Sequence, residues 1–250
     1  MLTKIDNSLK YGKQHGGFGI RILYPGLIRP ELHDTGFFTI GRIDHARITP
    51  GTLIPMHPHQ DDEIVTYLRS GKVQHLDSEK RTGYISNQQL MVMNAGANFY
   101  HEEKVMEEGG ALEGLQIFIR PETSGLQPQV QFYELHETYS TNHWRKIAGK
   151  GDDYPLQIRG NTWLMDMRLE NGAKTILPKV PSKNTAFLLY VFDGKIKVND
   201  TMVLTAGESV LVEMENPTFQ ATETSDALLL ITQTDAVHFD GGMYSGNLHQ

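Results

Sequence analysis

Hydrophobic and polar residues alternate along much of the chain with a period close to two. The segment FFTIGRIDHARI at residues 37–48 shows this clearly. Such alternation is typical of a strand with one buried face. Short apolar runs divided by turn residues recur at Ile64–Leu68, Leu90–Met93, Leu115–Ile119, Phe187–Phe192, Val210–Val212 and Leu228–Ile231. The pattern predicts an all-β protein, a barrel or sandwich of the jelly-roll kind, with few short helices.

The chain also repeats itself. The segment YLRSGKVQH at Tyr67–His75 resembles YVFDGKIKV at Tyr190–Val198, and each reads as a strand, a glycine turn and a second strand. Two later pairs of segments keep the same order: Leu90–Met93 with Ser209–Val212, and Leu115–Ile119 with Leu228–Thr232. Two tandem β domains are therefore predicted. The boundary falls where Pro121–Val130 interrupts the pattern, which gives domains at residues 1–125 and 126–250.

Composition narrows the classes of function. The 250 residues carry a net charge of −7, which argues against direct binding of nucleic acid through phosphate contacts. No apolar run reaches the length of a membrane span, and no apolar signal-peptide core follows Met1, so we expect a cytoplasmic protein. Cysteine is absent and histidine occurs 11 times. Any transition-metal site must therefore be built from histidine and carboxylate ligands.

Two short motifs have the spacing of metal ligands. In a strand, residues i and i+2 lie on the same face, so His57 and His59 in the sequence His57-Pro58-His59 can converge on one ion. His101 and Glu103 have the same spacing. Two such pairs on neighbouring strands would supply three imidazoles and one carboxylate. This set suits iron, manganese, nickel, copper or zinc and does not choose among them.

The segment Gly51–Glu63 resembles the first cupin motif, in which a glycine precedes His-x-His and a glutamate follows. The continuation through Gly71-Lys-Val-Gln-His75-Leu-Asp77-Ser78 to His101-x-Glu103 resembles the pirin family more narrowly. The specific likeness covers residues 51–103, and the general one covers about residues 37–234. This chain departs from the family pattern at Gln60-Asp61-Asp62, where pirins commonly have Arg-Gly-Phe or a similar sequence.

The resemblance implies a bicupin with one divalent metal in its N-terminal domain. The ligands implied by position are His57, His59, His101 and Glu103, and iron ranks first, with zinc, manganese, nickel or copper as alternatives. In the repeat, Gln220 and Thr222 take the positions of His101 and Glu103. The C-terminal domain is therefore expected to lack the ligand set.

The family's assigned activities imply a quercetinase-like dioxygenase that acts on a flavonol-type aromatic substrate. Glu103 is the candidate catalytic residue, as a shuttle for the substrate's hydroxyl proton. A second interpretation is a non-catalytic, iron-binding, redox-sensitive regulator that binds a protein partner. A third is another cupin chemistry, such as isomerisation with a redox-inert metal.

Further residues are candidates for roles around the metal. Glu63 is a ligand in many cupins, but in the pirin pattern the carboxylate comes from His-x-Glu, so Glu63 is assigned to the outer shell or the substrate side. Met91, Met93 and Phe99 are candidates for an apolar wall above the metal. His75 is interpreted as a structural histidine.

Overall fold

The computed structural model describes residues 1–180 and 182–249, and it confirms the all-β prediction. Helical structure in these residues is limited to four 3-10 turns, Asn7–Leu9, Pro25–Ile28, Pro30–Leu32 and Glu107–Gly109. No helix within them is long and apolar enough to cross a bilayer. The strands are β1 (Leu2–Ile5), β2 (Tyr11–His15), β3 (Phe18–Leu23), β4 (Ile40–Ile48), β5 (Leu53–His59), β6 (Glu63–Ser70), β7 (Lys72–Asp77), β8 (Thr82–Ser86), β9 (Gln89–Asn94), β10 (Phe99–Val105), β11 (Leu112–Ile119), β12 (Gln129–Glu134), β13 (Arg145–Gly149), β14 (Leu156–Gln157), β15 (Thr162–Leu169), β16 (Lys174–Ile176), β17 (Thr185–Val198), β18 (Met202–Thr205), β19 (Ser209–Glu213) and β20 (Thr218–Gln233).

The strands form two sheets. The first has the order β2-β3-β4-β11-β6-β9-β8-β7-β10-β5, with β12 added beside β9. The second has the order β1-β19-β17-β20-β15-β13-β14, with β16 beside β20 and β18 beside β17. Strand β5, which carries the His-x-His motif, is the last strand in the order of the first sheet.

The two sheets repeat one pairing scheme, as the sequence predicts for a bicupin. Strand β6 lies between β11 and β9, and β17 lies between β20 and β19. The register also agrees, because Tyr67 pairs with Leu115 and the corresponding Tyr190 pairs with Leu228. One difference is local: the first repeat breaks at Gly71, whereas β17 continues through Gly194 with register shifts.

The continuous apolar runs are explained by burial on both faces. On β6, Val65 and Tyr67 belong to a core shared with strands of the second sheet, including Leu188 and Leu228. Ile64 and Leu68 on the opposite face pack inside the first barrel. A strand buried on both sides needs apolar residues at every position, so its sequence loses the alternation seen in residues 37–48.

The two halves of the chain exchange strands. Residues Leu2–Ile5 pair with β19 of the second sheet, with Leu2 opposite Val212. Strand β12, which follows the predicted boundary, pairs with β9 of the first sheet. The division at residue 125 therefore stays a prediction, because each sheet contains a strand from the other side of it.

Polar contacts cross the interface between the sheets. The Tyr67 hydroxyl donates across the interface to Asp166 at 2.7 Å, and Arg145, in the same sheet as Asp166, donates to both of its carboxylate oxygens at 2.9 and 2.7 Å. In a second cluster, Lys10 Nζ donates to the Tyr190 hydroxyl at 2.8 Å. These contacts satisfy buried polar groups and fix how the sheets sit on each other.

Residues 236–249, here called the C-terminal strap, leave the second sheet and return to the first. The N–H of Phe239 donates to the Pro121 carbonyl at 2.8 Å, and the N–H of Met243 donates to the Gln60 carbonyl at 2.9 Å. Fully buried Arg120 donates through Nε to the Ser245 carbonyl at 2.9 Å. The end of the chain is therefore held against the strands that carry the histidine motifs.

Candidate metal centre

His57 and His59 lie two residues apart on β5 and their side chains share one face of the sheet. Strand β5 pairs with β10, with Pro58 opposite Tyr100. Proline has no N–H to give to a sheet ladder, and the edge position of β5 accommodates it. His59 is 3% exposed, and His57 is half-buried at the mouth.

His101 and Glu103 lie on the neighbouring strand. Burial alternates along β10, so Phe99, His101 and Glu103 are buried while Tyr100 and Lys104 are exposed. His101 pairs with His57, and the register shifts before Glu103, which pairs with Ile54. The bulge places one extra residue on β5 and changes the direction of the side chains that follow it.

The three imidazoles converge through their Nε2 atoms. His101 Nε2 lies 3.0 Å from His57 Nε2 and 3.1 Å from His59 Nε2. The three residues together form a group in which one ligand atom from each lies within 4.8 Å of the others. The predicted pairing of the two motifs is therefore present as a tri-histidine group.

A second group shares His101 and extends inward. His101 Nδ1 lies 3.1 Å from Nδ1 of fully buried His75, and Glu103 completes this group. Gln116 Nε2 donates to both oxygens of Glu103 at 3.3 and 3.2 Å. The four predicted ligands are thus brought together in two overlapping groups, and the ligand role of Glu103 stays a prediction.

The sequence favours a purely structural role for His75, but this residue belongs to the second group. Strand β7 pairs with β10 so that His75 faces Glu103 and Asp77 faces His101. His75 Nε2 is buried without a hydrogen-bond partner among the described residues. The spacing of His75 and Asp77 predicts that both lie on one face of β7. The register between β7 and β10, which brings His75 to Glu103, depends on long-range pairing and cannot be read from that spacing.

The electrostatics of the site keep His57, His75 and His101 neutral. Burial lowers the pKa of His75 to about 4, and burial together with the neighbouring imidazoles lowers the pKa of His101 far below its ordinary value. Burial also lowers the pKa of His57. Neutral imidazole is the form that binds a metal ion, so the site favours the ligand state at neutral pH.

The donor set fits a divalent transition metal. His101 Nε2 lies about 3 Å from both His57 Nε2 and His59 Nε2, and it cannot satisfy both fully, because two neutral imidazoles share at most one proton along each contact. His59 Nδ1 is buried without a hydrogen-bond partner in the described residues, and the Asp62 carboxylate lies 3.9 Å away. A ligated histidine commonly directs its second N–H at such a carboxylate.

A cavity of about 160 Å³ opens beside the histidines. Its walls include His57, His59 and Glu103 from the site itself. The other walls come from β3, β4, β5, β6, β7, β11 and the C-terminal strap: Phe18, Ile20, Arg42, Asp44, Ala46, Ile48, Ile54, Thr66, Leu68, Val73, Leu112, Gly114, Leu115, Gln116, Phe118 and Tyr244. The cavity is therefore mainly apolar, with polar groups near Glu103.

The apolar wall predicted from the sequence stays a prediction. Met91, Met93 and Phe99 are buried in the core of the first barrel and are not among the described residues that line the cavity. Met91 and Met93 lie on β9, which is buried almost throughout. Phe99 instead stacks on His75, with ring centroids 6.4 Å apart.

Glu63 is also outside the described lining of the cavity and serves the domain interface. Its fully buried carboxylate accepts from Asn94 Nδ2 at 2.8 Å and from the Gly160 N–H at 3.0 Å. The backbone N–H and Nε of Arg159 each donate to it at 3.0 Å. The substrate-side assignment of Glu63 therefore has no contact to support it, and these four donors account for its burial.

Both groups of metal-ligating side chains found in the described residues lie within residues 57–103. In the second sheet, Gln220 pairs with Lys174 and Lys197. Thr222 is exposed and donates to the Lys195 carbonyl at 3.3 Å. These residues occupy the positions that correspond, in the repeat, to His101 and Glu103.

Comparison with known proteins agrees with this fold and site. The sequence model of the Pirin family matches residues 31–119. A human protein named Pirin is 29% identical over 235 residues, which cover 86% of this chain and 79% of that protein.

Solved structures extend the likeness to nearly the whole chain. YhhW from Escherichia coli has a TM-score of 0.82 at 20% identity, with 96% of this chain and 100% of that chain covered. YhhW has also been solved in complex with nickel(II). Quercetin 2,3-dioxygenase from Acinetobacter baumannii has a TM-score of 0.74 at 26% identity, covering 93% of this chain and 86% of that one.

The fold is that of a bicupin, and the clustered histidines form a candidate metal site in its first barrel. In sequence, the chain is similar to members of the pirin family.

Proposed function

We propose that this chain is a cytoplasmic, metal-dependent dioxygenase that acts on an enolised aromatic substrate of the flavonol type. The observation that carries the proposal is the tri-histidine group beside an apolar cavity. His57, His59 and His101 hold one divalent metal, with Glu103 as the fourth ligand. Iron is the metal we place first, and nickel is the main alternative because YhhW has been solved with nickel(II).

The bound metal would supply Lewis-acid and redox chemistry between the aromatic substrate and dioxygen, which is the oxidant and the source of both inserted oxygen atoms. The chain's own residues prepare the site for it. The cavity walls around Phe118 and Leu115 exclude water from the substrate. His57, half-buried, stands where substrate enters.

Glu103 is the residue that handles the substrate's proton. Burial raises the pKa of Glu103 to about 7 in the metal-free protein, so its carboxylate, when it is not bound to the ion, can accept the proton of an enol or phenol and return it near neutral pH. Gln116 donates to both oxygens and holds the carboxylate at the cavity wall. This arrangement supports a general-base role in addition to metal binding.

Metal content tests the proposal first. We expect about one transition metal per chain in the wild type and its loss in the double variant His57→Ala/His59→Ala, measured by mass spectrometry of the metals. His143→Ala is the control, because this histidine is exposed and its ring contacts a carbonyl two residues away. Equal trace amounts of metal in the wild type and the double variant would overturn the site.

Turnover tests the activity itself. Protein loaded with iron(II) or nickel(II) should consume quercetin and dioxygen in equal amounts. Glu103→Gln should keep enough metal for comparison but lose turnover, whereas wild-type turnover in that variant would remove the proton role. The regulator interpretation predicts bound metal, a metal-dependent affinity for a protein partner and no turnover, so the same preparation separates the two.

A further inference from the structure

The wall of the metal cavity is completed by the last residues of the chain. The N–H groups of Tyr244 and Ser245 donate to the Asp62 carboxylate at 3.1 and 2.8 Å. Asp62 is 1% exposed and lies three residues after His59 on the chain. One buried carboxylate thus anchors the C-terminal strap beside a candidate metal ligand.

This anchoring places the ring of Tyr244 in the cavity. Its ring centroid lies 5.2 Å from that of His59 and 5.3 Å from that of Phe118, at tilted angles of 56° and 48°. The Arg42 guanidinium lies over the Tyr244 ring at 5.1 Å. Arg42 itself donates two hydrogen bonds to Asp44. The two charges offset each other, so this part of the cavity wall does not favour the binding of an anionic ligand.

Another residue of the cavity lining has a polar group for which the described residues supply no partner. Thr66 Oγ1 is buried and has no hydrogen-bond partner among the described residues, and Thr66 lines the cavity. Thr66 pairs with Gln116 across β6 and β11, so both side chains lie on one face, next to Glu103. A buried hydroxyl without a partner is costly, and a ligand with its own hydroxyl would satisfy it.

The size of the cavity limits what can enter. Its volume is about 160 Å³. An apolar cavity of about 150 Å³ in another protein is known to take a single benzene ring. A three-ring flavonol would therefore insert one ring and leave the others outside the mouth.

We propose that the cavity selects a single phenolic ring, with Tyr244 as the specificity-determining wall and Thr66 as the hydrogen-bond partner of the ring's hydroxyl. The ring packs among Phe118, His59 and Tyr244. This inference rests on the proposed function, since it names which part of an aromatic substrate the metal site receives.

Binding to metal-free protein tests the inference separately from catalysis. The probes are phenol, toluene and quercetin, measured by titration calorimetry. Thr66→Val keeps the shape of the side chain but removes its hydroxyl. The variant should therefore bind phenol about tenfold more weakly than the wild type and bind toluene with unchanged affinity. An equal effect on the two probes, or no effect on either, would overturn the role of Thr66.

Tyr244→Ala should weaken the binding of phenol and of toluene by roughly three- to tenfold, because the aromatic contact is lost. The affinity for quercetin should rise relative to the affinities for both smaller probes, because the cavity widens. Tyr244→Phe keeps the ring and should match the wild type. Tyr84→Ala removes an exposed tyrosine of β8 that is outside the described lining and should change nothing.

If Tyr244→Ala does not fold, Tyr244→Leu replaces it, because leucine removes the flat ring with less loss of volume. The same changes in the affinities for phenol, toluene and quercetin are expected for this variant. A constant ratio of quercetin to phenol affinity in the folded variant would overturn the role of Tyr244. Ring selectivity without quercetin turnover in the metal-loaded wild type would instead contradict the proposed function and leave this inference standing.

Discussion

Replacing Glu63 by glutamine should destabilise the protein strongly without emptying the metal site. The carboxylate accepts hydrogen bonds from Asn94, from the N–H and Nε of Arg159 and from the N–H of Gly160. Glutamine keeps one acceptor oxygen and places an NH₂ group where the other oxygen was. If the NH₂ replaces Oε2, the Gly160 N–H loses its acceptor and the Arg159 N–H keeps only its 3.2 Å contact to Oε1. If the NH₂ replaces Oε1, the side-chain donors of Asn94 and Arg159 lose theirs, so two donors are affected in either orientation.

The magnitude follows from those donors. Each buried N–H left without an acceptor costs about 1–3 kcal/mol, so two of them cost about 2–6 kcal/mol. The Arg159 side chain is 23% exposed, so water screens part of the lost ion pair and it adds less. We expect Glu63→Gln to lower the free energy of unfolding by about 3–5 kcal/mol, in the range for breaking one side of a buried pair.

Urea denaturation followed by tryptophan fluorescence measures this change, since Trp144 and Trp163 both lie in the second half of the chain. Glu122→Gln is the matched control, because this half-exposed glutamate contacts Lys150 at the surface and its loss should cost less than about 0.5 kcal/mol. A loss below about 1 kcal/mol for Glu63→Gln, with an unchanged dependence on urea, would refute the interface role. A loss of metal from the folded variant would favour Glu63 as a ligand instead.

Two further predictions concern pH and metal affinity. Burial lowers the pKa of Lys10 to about 7, so between about pH 7 and pH 10.4 the folded protein binds fewer protons than the unfolded chain. The free energy of unfolding of the wild type relative to Lys10→Met should therefore rise with pH across that window in urea titrations, and a flat difference would contradict it. His75→Phe removes the nitrogen that faces His101 Nδ1 and should weaken metal binding about 10–100-fold in competition with a chelator, whereas His75→Gln should lose less. Unchanged affinity in both variants would exclude an orienting role for His75.

The sequence predicts the parts of the site that depend on local geometry. His57 with His59, and His101 with Glu103, are spaced by two, and a strand turns that spacing into a shared face. The repeat around Tyr67 and Tyr190 can also be recognised from the sequence, because each copy is a local pattern of a strand, a glycine turn and a second strand. The histidines of the tri-histidine group can therefore be named from the amino-acid sequence alone.

The parts that depend on long-range pairing could not be predicted. His75 reaches His101 because of the register between β7 and β10, and Glu63 meets Arg159 only across the domain interface. Met91 is outside the described lining of the cavity, and a strand buried on both faces has no sequence pattern that tells one face from the other. The place of Tyr244 in the cavity follows from the path of the strap.

The order in which the chain leaves the ribosome limits when its two sheets can be completed. Residues Leu2–Ile5 emerge long before their partner strand, Ser209–Glu213. The wall of the metal cavity at Tyr244 is made later still. A nascent chain that stops after residue 125 would have neither the strap nor the second sheet. Both sheets and the cavity wall are therefore complete together only after Tyr244 has been synthesised, and truncated products would expose surfaces that the folded protein buries.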